Sequence, residues 1–267
     1  MRVLYLFAGP KRKNDIHARL KILAKRIEKR SGKKVRLVVE EVDLLRPGPA
    51  QNVADDEVWA KVTTGLREGC YDLQILTPPC NTHSRLRHRN DGGPGPLRDM
   101  RHPRGFPWLD GQRREEVELA NLLIDRCIDA IQLGVASSAN TKWLMEHPED
   151  LGRVDGRDPA SLWSIIQELF EGFPPAPPGA KVEVESGVCF HCQWPPRDHS
   201  KPTRFGGSVK HLGKFCHMGW PVKGPQNNYL GPLPRYCGHN HSDISGRSED
   251  GKGWMSGNFA AYPEGLN

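Results

Sequence analysis

A chain of 267 residues can build one substantial core, or one core plus a small appendage, and it contains no apolar run near the length of a membrane span. The opening Met1–Leu6 reads as a strand with no signal-peptide pattern, so an intracellular location is expected and secretion is not. Seven irregularly spaced cysteines argue for reduced thiols or metal ligands over a disulfide framework, and a formal charge of +6 permits a polyanionic partner without requiring one.

In chain order, Arg2–Phe7 reads as a central strand broken by Ala8-Gly9-Pro10. A helix follows from Asp15, capped by Asn14 or Asp15, with Ile16, Leu20, Leu23 and Ile27 on one face and Arg19, Lys25, Arg26 and Arg30 on the other. Val35–Val39 is a second strand that runs out at Glu40-Glu41-Val42-Asp43; Asp56–Glu68 is a helix; the apolar run Leu73–Leu76 is a third strand. Strands alternating with helices imply a mostly parallel α/β sheet with helices on both faces, which binds ligands at the carboxyl ends of its strands. The turn Phe7-Ala8-Gly9-Pro10-Lys11, Glu41 or Asp43, and the end of the third strand then share one edge. An acid ending the second strand is placed to accept hydrogen bonds from a ribose diol, or belongs to a solvated turn.

The third strand delivers Cys80 through Pro78-Pro79, a pair that ends sheet pairing and stiffens the backbone. His83, Arg85, Arg87, His88 and Arg89 follow, and Arg98 extends the series. So much positive charge should lower the thiol pKa and favour the nucleophilic thiolate; the alternative is an inert cysteine after a turn. The Gly/Pro/Arg segment from Asn90 to Leu109 carries Arg98, Arg101, His102 and Arg104 with Phe106 and Trp108, charge for phosphates and rings for bases. It reads as a nucleic-acid-binding loop, or as a surface insertion.

Gly111–Leu133 is a helix with Val117, Ala120, Ile124, Cys127 and Ile131 on one stripe, which makes Cys127 a core residue. Thr141–Pro148 is a strand containing Glu146, and Ala160–Phe170 is another helix. Phe173–Gly179 is a stiff proline-rich connector; from Lys181, two short strands around Gly187 precede a Gly/Pro/His/Cys-rich tail. In that tail Cys189, Cys192 and Cys216-His217 are scattered ligand types, and Cys237 with His239 or His241 is the best candidate pair for a structural zinc; otherwise these are reduced residues of a polar loop.

Phe7-Ala8-Gly9, then Pro78-Pro79-Cys80 with Ser84, then Glu146-His147-Pro148, occur in the order in which the sequence resembles the DNA cytosine-5 methyltransferases, as a compact virus-type member. Lys201-Pro202-Thr203-Arg204-Phe205 is similar to the family's arginine motif, and Ser256-Gly257-Asn258-Phe259 with Tyr262-Pro263 to its closing Gly-Asn motif. The resemblance implies a class I methyltransferase-like (Rossmann-like) catalytic domain over 1–206, a small recognition module over 207–250 that zinc could stabilise, and a segment 251–267 returning to the catalytic domain. It implies S-adenosylmethionine held by Phe7, Ala8, Gly9, Glu41, Asp43, Pro78 and Asn258, with Cys80 as nucleophile, Glu146 as the carboxyl group at ring nitrogen 3, and Arg204 orienting the base or the catalytic loop. Ser84, Arg85, Arg98, Arg104, Lys201 and Thr203 would meet DNA, as a duplex with a flipped base or as a single strand, with a monomer as the default state. Pro10 and Lys11 stand where the family has its second glycine, Asn81 replaces a glutamine, and His147-Pro148 replace Asn-Val. A relative that binds nucleic acid without methyl transfer, or one that modifies another pyrimidine, is the alternative.

Overall fold

The computed structural model describes residues 1–46, 48, 51–171, 183–195, 199–233 and 240–242. Strands β1 (Arg2–Leu6), β2 (Val38–Val42), β3 (Leu73–Leu76) and β4 (Lys142–Pro148) alternate with helices α1 (Ile16–Ser31), α2 (Asp56–Arg67) and α3 (Gly111–Ala136). Helix α4 (Leu162–Glu171) follows, and then β5 (Glu185–Phe190), β6 (Pro202–Gly207), β7 (His217–Met218), β8 (Val222–Lys223) and β9 (Tyr229–Gly231). One seven-stranded sheet has the order β2-β1-β3-β4-β6-β5-β7; β1 to β4 are mutually parallel, and β6, β5 and β7 join antiparallel. This mixed α/β architecture is compatible with a Rossmann-like fold.

Helices cover both faces. On one, Ile16 and Leu20 of α1 pack with Val3, Tyr5 and Ile75. On the other, Leu4, Leu6, Leu76, Trp143 and Met145 meet apolar side chains of α2, α3 and α4, including Val62, Ile124, Cys127 and Trp163. Cys127 is thus a core residue. Local chemistry sets the helix ends: the Asp15 carboxylate accepts the Ala18 N–H at 2.9 Å, Gly32 ends α1 at φ 67, and Asp55 accepts from Glu57 and Val58 at the start of α2.

Three sequence expectations are corrected. The α1 stripe is only half used: the sheet ends at β2 on that side, so Leu23 and Ile27 remain 50% and 46% exposed. Strand β2 starts three residues later than periodicity suggested, because parallel pairing with β1 aligns Arg2 with Val38 and Leu6 with Val42. Gly187 does not separate two strands but lies within β5, where its missing side chain admits β7; a Cβ there would sit 2.8 Å from the Cys216 Cβ and 3.0 Å from the His217 oxygen. Pairing of Gly187 with Met218 and Val188 with His217 continues the main sheet beyond residue 207.

Strands β8 and β9 form a separate hairpin bound to the loop after β4. Lys223 Nζ lies 2.5 Å from Asp150 Oδ2, and Arg153 N–H donates to the Asn227 oxygen at 2.8 Å. The connector 173–179 and the closing motif around Asn258 lie outside the described residues. No helix among the described residues is long and apolar enough to cross a membrane.

Gly207 is the tightest point where β6 joins β4: a Cβ would meet the Trp143 carbonyl oxygen at 2.2 Å and the Leu144 Cα at 3.0 Å, both immovable backbone atoms. Gly207→Ala is expected to destabilise the protein by about 1–3 kcal/mol, read as a lower urea midpoint at constant m-value.

Candidate active site

The site grows from the parting between β1 and β3, where crossovers leave in opposite directions and an α/β sheet opens at its carboxyl edge. Phe7 turns the chain with φ 63 while its N–H donates to the Val42 oxygen at 2.9 Å, and Gly9 at φ 68 donates to Asp43 Oδ2 at 2.9 Å. Thr77 Oγ1 donates to the Phe7 oxygen at 2.7 Å, tying the end of β3 to the same turn. Asp43 also accepts the Leu45 N–H at 2.7 Å, so its carboxylate bridges two loops. Glu41 is more fully engaged, by Arg46 at 2.9 Å and the His17 ring at 3.0 Å. Asp43 meets only backbone N–H groups, whereas Glu41 is held by a guanidinium, so of the two acids Asp43 is the one with a carboxylate charge left for a ribose diol.

Cys80 follows buried Pro78 at φ −101, ψ 2, and its carbonyl accepts the His83 N–H at 3.0 Å, which closes a one-turn 3-10 segment. Burial pushes the Cys80 thiol up, the charge of Glu146 pushes it further, and Lys201 opposes both. The sequence reading expected the reverse. The correction lies in where the cations go. Arg85 donates to the Gly152 and Arg153 oxygens at 3.2 and 2.6 Å, and Arg87 pairs with Glu116 at 2.6 Å. Arg98, expected to meet substrate, is 1% exposed and donates to the Pro103 oxygen at 2.7 Å and Asn121 Oδ1 at 3.0 Å. Burial also holds His83 and His88 below the usual imidazole pKa, so neither adds charge at neutral pH. These groups build the loop around Cys80.

Alternation along β4 then decides which partners reach the thiol. Trp143 and Met145 face the α2–α3 side, and His147 shares their parity; Leu144, Glu146 and Pro148 have the opposite parity. Register places Glu146 opposite Phe205, His147 opposite Arg204 and Pro148 opposite Thr203. Arg204 therefore lies on the face away from Glu146. It pairs with Glu149 at 2.9 Å, both side chains fully buried, and donates to Ser186 Oγ at 2.7 Å and the Gly219 oxygen at 2.6 Å. Burial raises the Glu149 pKa and Arg204 restrains the rise. The structure does not bring Arg204 to Cys80; Lys201, directly before β6 and in phase with Thr203, is the cation that acts on the thiol.

Thr203 is buried against the His191 ring, with Oγ1 3.2 Å from Nε2. Ser84 is half-buried between two 3-10 turns, and Arg104 pairs at the surface with Asp125 at 2.7 Å. Among the candidate zinc ligands, Cys237 and His239 lie outside the described residues, and His241 is exposed. Cys189 and Cys192 are buried, and Cys189 accepts the Trp194 ring N–H at 3.3 Å. Among the described residues no group of three or more His, Cys, Asp or Glu is arranged to hold a metal ion. Sequence reasoning missed the roles of Glu149 and of Lys201 beside the thiol. The two-residue period from Lys201 to Phe205 was the available signal for the second.

No family model matches the chain, and no curated protein or solved structure matches it.

Two predictions follow from these electrostatics. Alkylation rate against pH is expected to place Cys80 ionisation above the ordinary thiol value; Glu146→Gln should move it down and Lys201→Met should move it up, and an unmoved profile in both variants would separate these groups from the thiol. Burial holds His147 and His191 down to about 3, so the unfolded chain takes up their protons first. Their contribution to stability is complete above the free imidazole value of 6.5 and is lost progressively as pH falls toward about 3, which thermal melts across that window measure.

Proposed function

We propose that this protein transfers a methyl group from S-adenosylmethionine to carbon 5 of cytosine in DNA through a covalent adduct with Cys80. The observation that supports this reading is the placement of Cys80, just past the end of β3, beside the neighbouring parallel strand β4 that carries Glu146; the Glu146 charge raises the thiol pKa and Lys201 opposes it. A thiol beside a carboxylate is what addition to a pyrimidine ring requires. The cofactor would lie on the open side of the first turn: a Cβ on Gly9 would meet nothing within 4 Å, so a ligand has room to approach the backbone there. Phe7, Ala8 and Gly9 would line that approach, with Asp43 toward a ribose and buried Pro78 closing the side. S-adenosylmethionine bound there supplies an electrophilic methyl group.

Carbon 5 of cytosine is a weak nucleophile until carbon 6 has been attacked. The Cys80 proton passes to the Glu146 carboxylate, and Glu146 hands a proton to ring nitrogen 3 as the sulfur–carbon 6 bond forms. The carbon 5–carbon 6 electron pair then becomes an enamine whose nucleophilic end is carbon 5. After methylation, solvent water takes the carbon 5 proton as the sulfur–carbon 6 bond breaks, nitrogen 3 returns its proton to Glu146, and Glu146 reprotonates the departing Cys80 thiolate.

A second reading, a nucleic-acid-binding relative without methyl transfer, is favoured by one observation: Glu41 is already paired with Arg46 and His17. Denaturant-resistant adduct formation with DNA containing 5-fluorocytosine, in the presence of S-adenosylmethionine, separates the two. An adduct is expected from the wild type and none from Cys80→Ala, while Glu146→Gln should form it about 10²- to 10⁴-fold more slowly. DNA binding without an adduct across varied DNA sequences would overturn methyl transfer.

A further inference from the structure

The segment from Arg98 to Leu109 is a built platform. Its Phe106 N–H donates to the Leu97 oxygen at 3.0 Å, Gly105 N–H to the His102 oxygen at 3.0 Å, and Asn121 Nδ2 to the Arg104 oxygen at 2.8 Å. Gly105, at φ 111, packs so close to α3 that a Cβ would sit 2.5 Å from Val117 Cγ1. Leu97, Leu109 and Val117 form a small buried cluster beneath Phe106.

On this base the Phe106 and Trp108 rings are stacked, with centroids 4.8 Å apart and planes 9° from parallel, and the His102 ring meets both edge-on. Phe106 covers one face of the indole, yet Trp108 remains 66% exposed. A fixed loop that holds its largest ring in water presents a flat apolar face for something to cover. The surrounding charge says what: Arg98 is buried in the platform and Arg104 is paired with Asp125, but Arg101, Arg113 and Arg114 are exposed, against Asp99 and Asp110 within residues 98–114. A flat ring among cations suits a nucleobase with its phosphates. Inside a duplex both faces of a base are already stacked, so only an unpaired or splayed base has a face to offer.

We propose that Trp108, backed by Phe106, is a stacking shelf for an unpaired nucleotide, and that the chain consequently prefers single-stranded or locally opened DNA to intact duplex. The substrate side of this inference rests on the reading of Cys80 as a DNA-modifying nucleophile. The shelf connects to that nucleophile through two contacts: Arg98 Nη1 lies 3.2 Å from His83 Nε2, and His83 N–H donates to the Cys80 oxygen at 3.0 Å.

The test is fluorescence anisotropy with a cytosine-containing oligonucleotide, single-stranded and as its duplex, at several salt concentrations. Wild type is expected to bind the single strand more tightly. Trp108→Ala should lose about 5- to 150-fold in single-strand affinity, the worth of one stacked base, with an unchanged salt slope because phosphate contacts persist. Trp108→Phe keeps a ring and should recover part of the loss, and it carries the test if the alanine variant fails to fold. Unchanged single-strand affinity in Trp108→Ala, or equal losses for single strand and duplex, would overturn the shelf. Adduct formation by the wild type reports separately on the nucleophile: adduct without a Trp108 effect removes only the shelf, and a Trp108 effect without adduct removes only methyl transfer.

Discussion

Everything chemical in this molecule depends on the pleat of β4. Because neighbouring residues of a strand point to opposite faces, Glu146 and His147 belong to different compartments although they are consecutive. On the Glu146 face lie Thr203 and, two residues before it, Lys201; the charges of Glu146 and Lys201 act on the Cys80 thiol in opposite directions. The other holds the fully buried Arg204–Glu149 pair, which joins β6 to the end of β4 and has no access to the thiol. A slip of one residue between β4 and β6 would exchange the two sets, putting the arginine beside the cysteine and stranding an acid in the core. Gly207 resists such a slip, because its side-chain position is occupied by the backbone of β4.

The same economy explains why an arginine-rich loop gives no electropositive thiol. Arginine presents five donors in a rigid fork, and a loop with few regular hydrogen bonds offers many carbonyls to receive them. Arg85 reaches two such oxygens and Arg98 another, so their charges serve construction. Lys201, a single flexible point charge, is left as the cation that opposes burial and Glu146 at the Cys80 thiol, and it does not outweigh them. The division of labour is local: donors that find backbone acceptors nearby become scaffold, and those without them stay at the surface.

How much of this was legible in the sequence depends on range. Strand β3 and helix α2 were read to within a residue, because Pro78-Pro79 and Asp55 act on their immediate neighbours. The parallel core, and the shared edge of the Phe7–Gly9 turn, Asp43 and the end of β3, followed from the alternation of strands and helices. What failed needed partners distant in sequence. The start of β2 was set by its alignment with β1, the continuity of β5 by the approach of β7, and the exposure of Leu23 and Ile27 by the place where the sheet stops. Arg204 was misplaced because a motif records which residues occur, whereas the face each one occupies depends on pairing register.

The insertion of β6 between β4 and β5 bears on how the chain comes to be folded. A ribosome delivers β4 long before it delivers residues 202–207, and in that interval Glu149 lacks the cation that neutralises it and β4 lacks its second neighbour. The amino-terminal half can collapse around its parallel strands, but its central strand stays unfinished until the distant segment threads in beside it. Lys201 stands directly before β6, so the cation that opposes Glu146 at the thiol arrives with the same late segment that completes the sheet.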